Sequence, residues 1–144
     1  MRILLIILVS SITFWQTLWA GPLHDAAEVG NTARIITLVQ AGEDINQVDD
    51  RGIWPLLAAA SGGYTKAAAR LLKLGANPNQ ADQYSYTALH EAASMGQSGV
   101  VELLINAKAD INARDINGYS PLGYAMRSGS PDVVELLQKA GAKQ

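Results

Sequence analysis

A repeat of 33 residues dominates this chain of 144 residues. Glycine, leucine and asparagine each recur at that step, with no insertion between copies. The recurring positions are Gly30, Gly63, Gly96 and Gly129; Leu23, Leu56, Leu89 and Leu122; and Asn46, Asn79 and Asn112. A fixed period of this length means that one supersecondary unit is repeated and stacked. The pattern predicts four units, at roughly residues 21–49, 50–82, 83–115 and 116–144, and it favours a binding scaffold over an active site.

The residues inside each period resemble one family. The third unit reads Thr87-Ala88-Leu89-His90, then Ala92-Ala93, Gly96 and Lys108-Ala109-Asp110-Ile111-Asn112. This pattern resembles the ankyrin repeat, which reads approximately T-P-L-H, two alanines, a glycine, an apolar helix and G-A-D-x-N. The resemblance covers residues 21–144. It implies an all-α repeat fold, an ankyrin solenoid of four helix-turn-helix units joined by β-hairpin-like loops, whose role is to bind another protein.

The residues at the helix ends predict where helices start and where the repeat is broken. Thr87, Ser120 and Ser130 stand where a side-chain oxygen can accept an unpaired amide hydrogen of the first turn. Trp54 takes that place in the second unit, where it removes the cap and adds a large apolar surface. Lys108 replaces the glycine that ends the second helix elsewhere, so we expect strain of about 1 kcal/mol unless the turn differs. The alternative is that Lys108 is an exposed contact residue.

The second helix of the fourth unit departs from the apolar pattern of the others. Val39, Leu72 and Ile105 share one position in the first three units, and Gln138 occupies it in the fourth. A stack needs polar end faces to stay soluble. We therefore expect the array to end after four units.

Residues 1–20 lie outside the repeat. Arg2 is the only charge before Asp25, and residues 3–9 are continuously apolar. A basic start, an apolar run and a small residue at Ala20 predict a secretory signal peptide cleaved before Gly21. The alternative is an uncleaved anchor, because a spanning helix needs about 20 apolar residues. The chain has no cysteine, which fits an oxidising compartment, so we expect a periplasmic or secreted bacterial protein, or one anchored in the inner membrane.

The charges are balanced and scattered. Eleven Lys and Arg stand against 13 Asp and Glu, and removal of Arg2 with residues 1–20 would move the net charge from −2 to −3. Binding to a phosphate backbone needs clustered Lys and Arg. The sequence therefore predicts no nucleic-acid partner, and a membrane contact only through residues 1–20 if they stay uncleaved.

The two histidines have a structural interpretation. His24 and His90 both match the histidine of T-P-L-H, which in ankyrin proteins hydrogen-bonds between loops of neighbouring units. Two repeat steps separate them by roughly 20 Å, so they cannot share a metal ion. Ser94 follows His90 by one helical turn, and a base beside a nucleophile keeps an enzyme using His90 as the less favoured alternative.

The aspartates that recur with the period are expected to form turns. Asp49, Asp82 and Asp115 occur once per loop, and aspartate side chains accept nearby backbone amides. The chain has neither a glycine-rich phosphate loop nor zinc-ligand spacing. We therefore predict no catalytic residues, no cofactor and no metal.

The predicted binding surface is carried over from the resemblance. Ankyrin proteins usually bind partners on the concave side, with the hairpin tips and the first helix of each unit. The corresponding residues are Asp50, Arg51, Ile53 and Trp54; Gln83, Tyr84, Tyr86 and Met95; and Ile116, Asn117, Tyr119 and Arg127. Tyr84, Tyr86 and Tyr119, with Trp54 beside them, would form the centre, since Tyr and Trp dominate interface hot spots. The alternative is that these tyrosines only pack along the hairpins as β-formers.

These features predict a monomeric, non-enzymatic module that binds and modulates a periplasmic enzyme or toxin. It could inhibit a toxic enzyme, as an immunity protein does, or it could protect a resident enzyme. A membrane-tethered scaffold is the alternative if residues 1–20 remain attached.

Overall fold

The helices come in four consecutive pairs. The computed structural model describes residues 21–143, so the predicted signal peptide or anchor lies outside the described residues. The eight helices of that range are α1 (Pro22–Glu28), α2 (Thr32–Gln40), α3 (Pro55–Ser61), α4 (Thr65–Lys73), α5 (Ala88–Ser94), α6 (Ser98–Asn106), α7 (Pro121–Ser128) and α8 (Pro131–Lys139). The first helix of each pair packs on the first helix of the next, and the second helices do the same. The predicted all-α repeat solenoid is therefore confirmed.

The core runs between these two helix layers. Leu23, Leu56, Leu89 and Leu122 are all buried. Burying such a side chain contributes about 2 kcal/mol. The alanine pairs of the first three units and Ala125 of the fourth are buried too, and their small size lets neighbouring helices approach closely. Gln138 is exposed on α8. No helix within residues 21–143 has the length and apolar character that crossing a membrane requires.

The loops between pairs are built on the recurring aspartates. Asp82 Oδ1 accepts the amide hydrogens of Tyr84 at 2.8 Å and Tyr86 at 2.9 Å. Asp49 and Asp115 accept from the residues two and four positions later in the same way. The predicted role of these aspartates in turn formation is confirmed.

Side chains link each unit to the next. His90 Nε2 lies 3.1 Å from the carbonyl oxygen of Tyr119, and His24 Nε2 lies 2.8 Å from that of Gln47. The predicted histidine link between neighbouring units is therefore present at His90, whereas the bond of His24 stays within the first unit. The recurring asparagines form a second set of links, in which each side-chain oxygen accepts a backbone N–H 31 residues further on. These bonds join Asn46 to Asn77 at 2.8 Å, Asn79 to Asp110 at 2.7 Å, and Asn112 to Lys143 at 2.8 Å.

Two of the three predicted caps form. Thr87 Oγ1 accepts from the amide of His90, and Ser120 Oγ accepts from the amide of Gly123. The prediction for Ser130 is wrong, because its side chain makes no cap hydrogen bond. Its hydroxyl lies 2.9 Å from that of Ser128 instead, and a nearby side-chain partner competes with capping.

Lys108 adopts the left-handed conformation that its position predicts. Its φ is 65°, whereas the glycines in the same slot, Gly42, Gly75 and Gly141, have φ of 95°, 102° and 94°. The lysine side chain is exposed. The loop therefore accommodates a Cβ by shifting φ into the narrow left-handed region that L-residues tolerate.

Candidate binding surface

The loop tips and the first-helix layer carry the predicted contact residues. Nine of them are exposed: Asp50, Arg51, Gln83, Tyr84, Met95, Ile116, Asn117, Tyr119 and Arg127. Ile53 and Tyr86 are half-buried. The hairpin tips of the third and fourth units are tied together, because the amide of Ile116 donates to the carbonyl oxygen of Tyr84 at 2.9 Å.

Trp54 corrects the prediction, because it belongs to the core. Only 1% of this residue is exposed, so it cannot stand on the surface beside the tyrosines. It occupies the cap position of α3, and the residues at the same position in the next two units, Thr87 and Ser120, are also buried. The sequence signal for burial was the position itself, because Trp54 aligns with Thr87 and Ser120 at the start of the first helix. Trp54 forms no side-chain cap, as expected, and its indole nitrogen has no partner among the described residues.

Three tyrosines and one histidine form a ring cluster, which we call the tyrosine cluster (Tyr86, His90, Tyr119 and Tyr124). Tyr86 stacks on His90 with 5.3 Å between ring centroids. Tyr124 packs edge-on against Tyr86 at 5.5 Å and against Tyr119 at 5.9 Å. Sequence reasoning named Tyr86 and Tyr119 but missed Tyr124, the residue that connects them. Such pairs contribute about 1 kcal/mol each beyond buried area, so the cluster is stiff.

Carboxylates hold the tyrosine hydroxyls. The Tyr124 hydroxyl donates to Asp115 Oδ2 at 2.6 Å, and the Tyr86 hydroxyl donates to Glu91 Oε2 at 3.0 Å. The bond to Asp115 raises the pKa of Tyr124 to about 12 and lowers the pKa of Asp115. Burial and then the Glu91 carboxylate raise the pKa of Tyr86. Both phenols therefore remain neutral donors at any physiological pH.

The exposed rim of the cluster offers aromatic and cationic contacts. The Arg127 guanidinium lies 4.8 Å from the centre of the Tyr119 ring, which is a cation–π distance. Tyr119 is 41% exposed, Tyr84 is 52% exposed and Ile116 is 62% exposed. Tyr84 is outside the ring cluster, and its carbonyl oxygen accepts the amide of Ile116 in the loop that also carries Tyr119. Interface hot spots favour tyrosine and arginine, and this rim presents both in a fixed geometry.

A groove lies beside the cluster on the first-helix layer, and we call it the second-unit groove. Its volume is about 460 Å³, and the residues that line it are Glu28, Ile53, Leu57, Ala58, Ser61, Gly62 and Glu91. The sequence prediction included Ile53 from this set. Arg51 lies nearby, where its guanidinium bonds Glu28 and Asp49. Although partial burial opposes it, hydrogen bonds from Ile53 and Arg51 keep the pKa of Asp49 below its usual value.

His90 has no nitrogen available at the surface. The residue is 0% exposed, Nε2 meets the Tyr119 carbonyl oxygen, and Nδ1 lies 2.8 Å from Thr87 Oγ1. Burial lowers its pKa. The imidazole is therefore a neutral structural link in the cluster. Within residues 21–143, no three side chains of the metal-binding types come close enough together to hold a metal ion.

Comparisons with known proteins agree with this architecture. The family model described as ankyrin repeats (3 copies) matches residues 23–115, and the model described as ankyrin repeats (many copies) matches residues 99–138. No curated protein matches the chain.

Proposed function

Since this chain belongs to the ankyrin repeat family, we propose that it is a non-enzymatic module exported to the periplasm, where it binds and modulates an enzyme or toxin. Ankyrin repeats generally serve as protein–protein interaction modules. The observation that carries the proposal is the tyrosine cluster with its exposed neighbours, Tyr84, Ile116 and Arg127. Its side chains are already ordered by ring contacts and hydrogen bonds, so binding would order little further and lose little entropy.

The periplasmic location is supported by the sequence. A basic start, an apolar run and Ala20 before Gly21 are typical of a cleaved signal peptide. Mass spectrometry of the exported protein tests this directly. A chain that begins at Gly21 supports cleavage, and a chain that begins at Met1 supports the alternative of a membrane-tethered scaffold.

Capture of a partner from a periplasmic extract tests the binding surface. Three baits are needed: the wild-type chain, Tyr84→Ala/Tyr119→Ala, and Tyr64→Ala. Tyr64 is a matched control because it is 39% exposed and lies at the start of α4, at the opposite end of α3 from the loop tips. We expect a protein retained by the wild-type and Tyr64→Ala baits and lost by the double variant. With the purified pair, loss of two hot-spot tyrosines should weaken binding by about 30-fold or more.

Two results would count against the proposal. Equal retention by all three baits would show that binding does not use the tyrosines. Failure of the wild-type bait to retain any protein would contradict a periplasmic partner. Genetics then separates the two roles. Growth arrest on gene deletion, relieved by deleting a neighbouring toxin gene, indicates inhibition, whereas loss of one enzyme's activity indicates protection.

A further inference from the structure

The second-unit groove lies where two repeat positions are both small, a combination that only the second unit has. One position is Asp25, Ala58, Glu91 and Tyr124 in successive units, and the other is Glu28, Ser61, Ser94 and Arg127. The second unit therefore presents Ala58 and Ser61 between the larger side chains of Glu28 and Glu91. The groove of about 460 Å³ is centred on these small residues. Within the array, it coincides with a departure of the second unit from its neighbours.

The floor of the groove is apolar for the same reason. Ile53 stands where the third and fourth units have Tyr86 and Tyr119, and Leu57 stands where the first and third units have histidine. Both are only partly buried and pack against the core. An exposed apolar strip of this kind is stabilised when the methylene groups of a partner side chain cover it.

The walls of the groove are acidic. Glu28 and Glu91 line it from α1 and α5, and no cationic residue is among its lining residues. Arg51 already bonds Glu28 from the loop side, so a guanidinium fits one of these carboxylates in the chain itself. Glu91 accepts a hydrogen bond from the neutral Tyr86 hydroxyl. Among the described residues no ion pair involves Glu91, so no cation offsets its negative charge.

We infer that the second-unit groove receives an arginine side chain, flanked by apolar residues, from the protein partner. Its methylene groups cover Ile53 and Leu57, and its guanidinium binds Glu91, since Arg51 already pairs with Glu28. Arginine suits the site because its planar fork donates two parallel hydrogen bonds to one carboxylate while its stem remains apolar. This inference rests on the proposed function, and it names the chemistry of the partner residue next to the tyrosine cluster.

A pair of tripeptides tests the inference without the natural partner. Acetyl-Leu-Arg-Leu-amide and its citrulline analogue differ only in charge, and protein produced from the full-length sequence is titrated with each by amide NMR. We expect saturable shifts at Ile53, Leu57 and Ser61 with the arginine peptide, and at least tenfold weaker binding of the citrulline peptide. The variant Glu91→Gln keeps an acceptor for the Tyr86 hydroxyl and should bind the two peptides equally. The control variant Glu102→Gln/Glu135→Gln, on α6 and α8, should behave as wild type.

The inference is overturned if the two peptides bind wild-type protein equally, or if the arginine peptide gives no saturable shift at these amides up to 10 mM. Added salt should also weaken binding of the arginine peptide and leave binding of the citrulline peptide unchanged, because only the arginine peptide binds through charge. Partner capture separates this inference from the proposed function. A partner that is lost by the tyrosine variant but retained by Glu91→Gln overturns the arginine site alone.

Discussion

Lys108 offers a sharp test of how a repeat tolerates a departure from its own pattern. The residue stands in a slot where the other three units have glycine, and its backbone is left-handed, with φ of 65°. Its amide still donates to Ile105 and its carbonyl oxygen accepts from the Asn79 side chain, so the backbone bonds do not depend on the side chain. The substitution Lys108→Gly therefore changes conformational preference and little else.

The expected gain in stability from Lys108→Gly is small. A side chain in the left-handed region costs about 1–2 kcal/mol, and φ of 65° lies where that cost is lowest, at about 1 kcal/mol. Glycine increases the entropy of the unfolded chain, which offsets about 0.5 kcal/mol of the gain. We expect Lys108→Gly to raise the free energy of unfolding by about 0.5 kcal/mol.

The reverse substitution, Gly75→Lys in the second unit, should have the opposite effect on stability. Gly75 has φ of 102°, outside the region that L-residues tolerate, and a Cβ placed there meets no atom within 4 Å. Gly75→Lys should therefore lower the free energy of unfolding by about 1 kcal/mol or more through backbone strain alone. Urea denaturation followed by circular dichroism measures both variants, and an unchanged slope with urea indicates that the unfolded state is comparable. A destabilising Lys108→Gly, or a neutral Gly75→Lys, would refute the reasoning.

Three further predictions concern the core, the pH dependence and the links between units. Trp54→Ala should lower the free energy of unfolding by about 3–5 kcal/mol in urea denaturation, since it empties a large core site, and a loss below about 1 kcal/mol would contradict its burial. The pKa of His90 is lowered in the folded chain, so the unfolded chain binds more protons below about pH 6.5 and stability falls as the pH drops. The free energy of unfolding of His90→Gln should fall less steeply than that of the wild type between pH 7 and pH 5 in the same assay. Equal slopes for the two proteins would contradict this. Asn79→Ala removes the acceptor for the Asp110 amide and should lower the free energy of unfolding by about 1 kcal/mol in urea denaturation. Asn106→Ala, at an exposed helix end, should leave the free energy of unfolding unchanged, and equal losses in the two variants would contradict the link.

The parts of the fold that sequence reasoning predicted well are those fixed by contacts that recur in each unit. Asp82 and its counterparts accept the amides two and four positions later, so the residue and the turn recur together. Leu89 and its three counterparts are likewise buried in the same way in every unit. A period in the sequence is the direct consequence of a period in these contacts.

The errors fall on residues that only one unit carries. Trp54 was interpreted as surface because tryptophan favours interfaces, but its position in the repeat is an interior one. Ser130 has the right side chain for a cap, yet its hydroxyl pairs with that of Ser128 and accepts no amide hydrogen of the first turn. Tyr124 was missed because it replaces a glutamate, an alanine and an aspartate at the same position in the other units. No period marks such a residue, and only its neighbours in space reveal its role.

The links between units also limit how far the chain must search while it folds. His90 reaches a residue 29 positions away, and each asparagine reaches one 31 positions away. The entropy lost in closing a loop grows with its length, and these loops stay short wherever they lie in the array. Contacts of low sequence separation favour fast folding, and any unit can serve as the nucleus on which the next one forms. A chain of twice as many units would close more loops, but none of them would be longer.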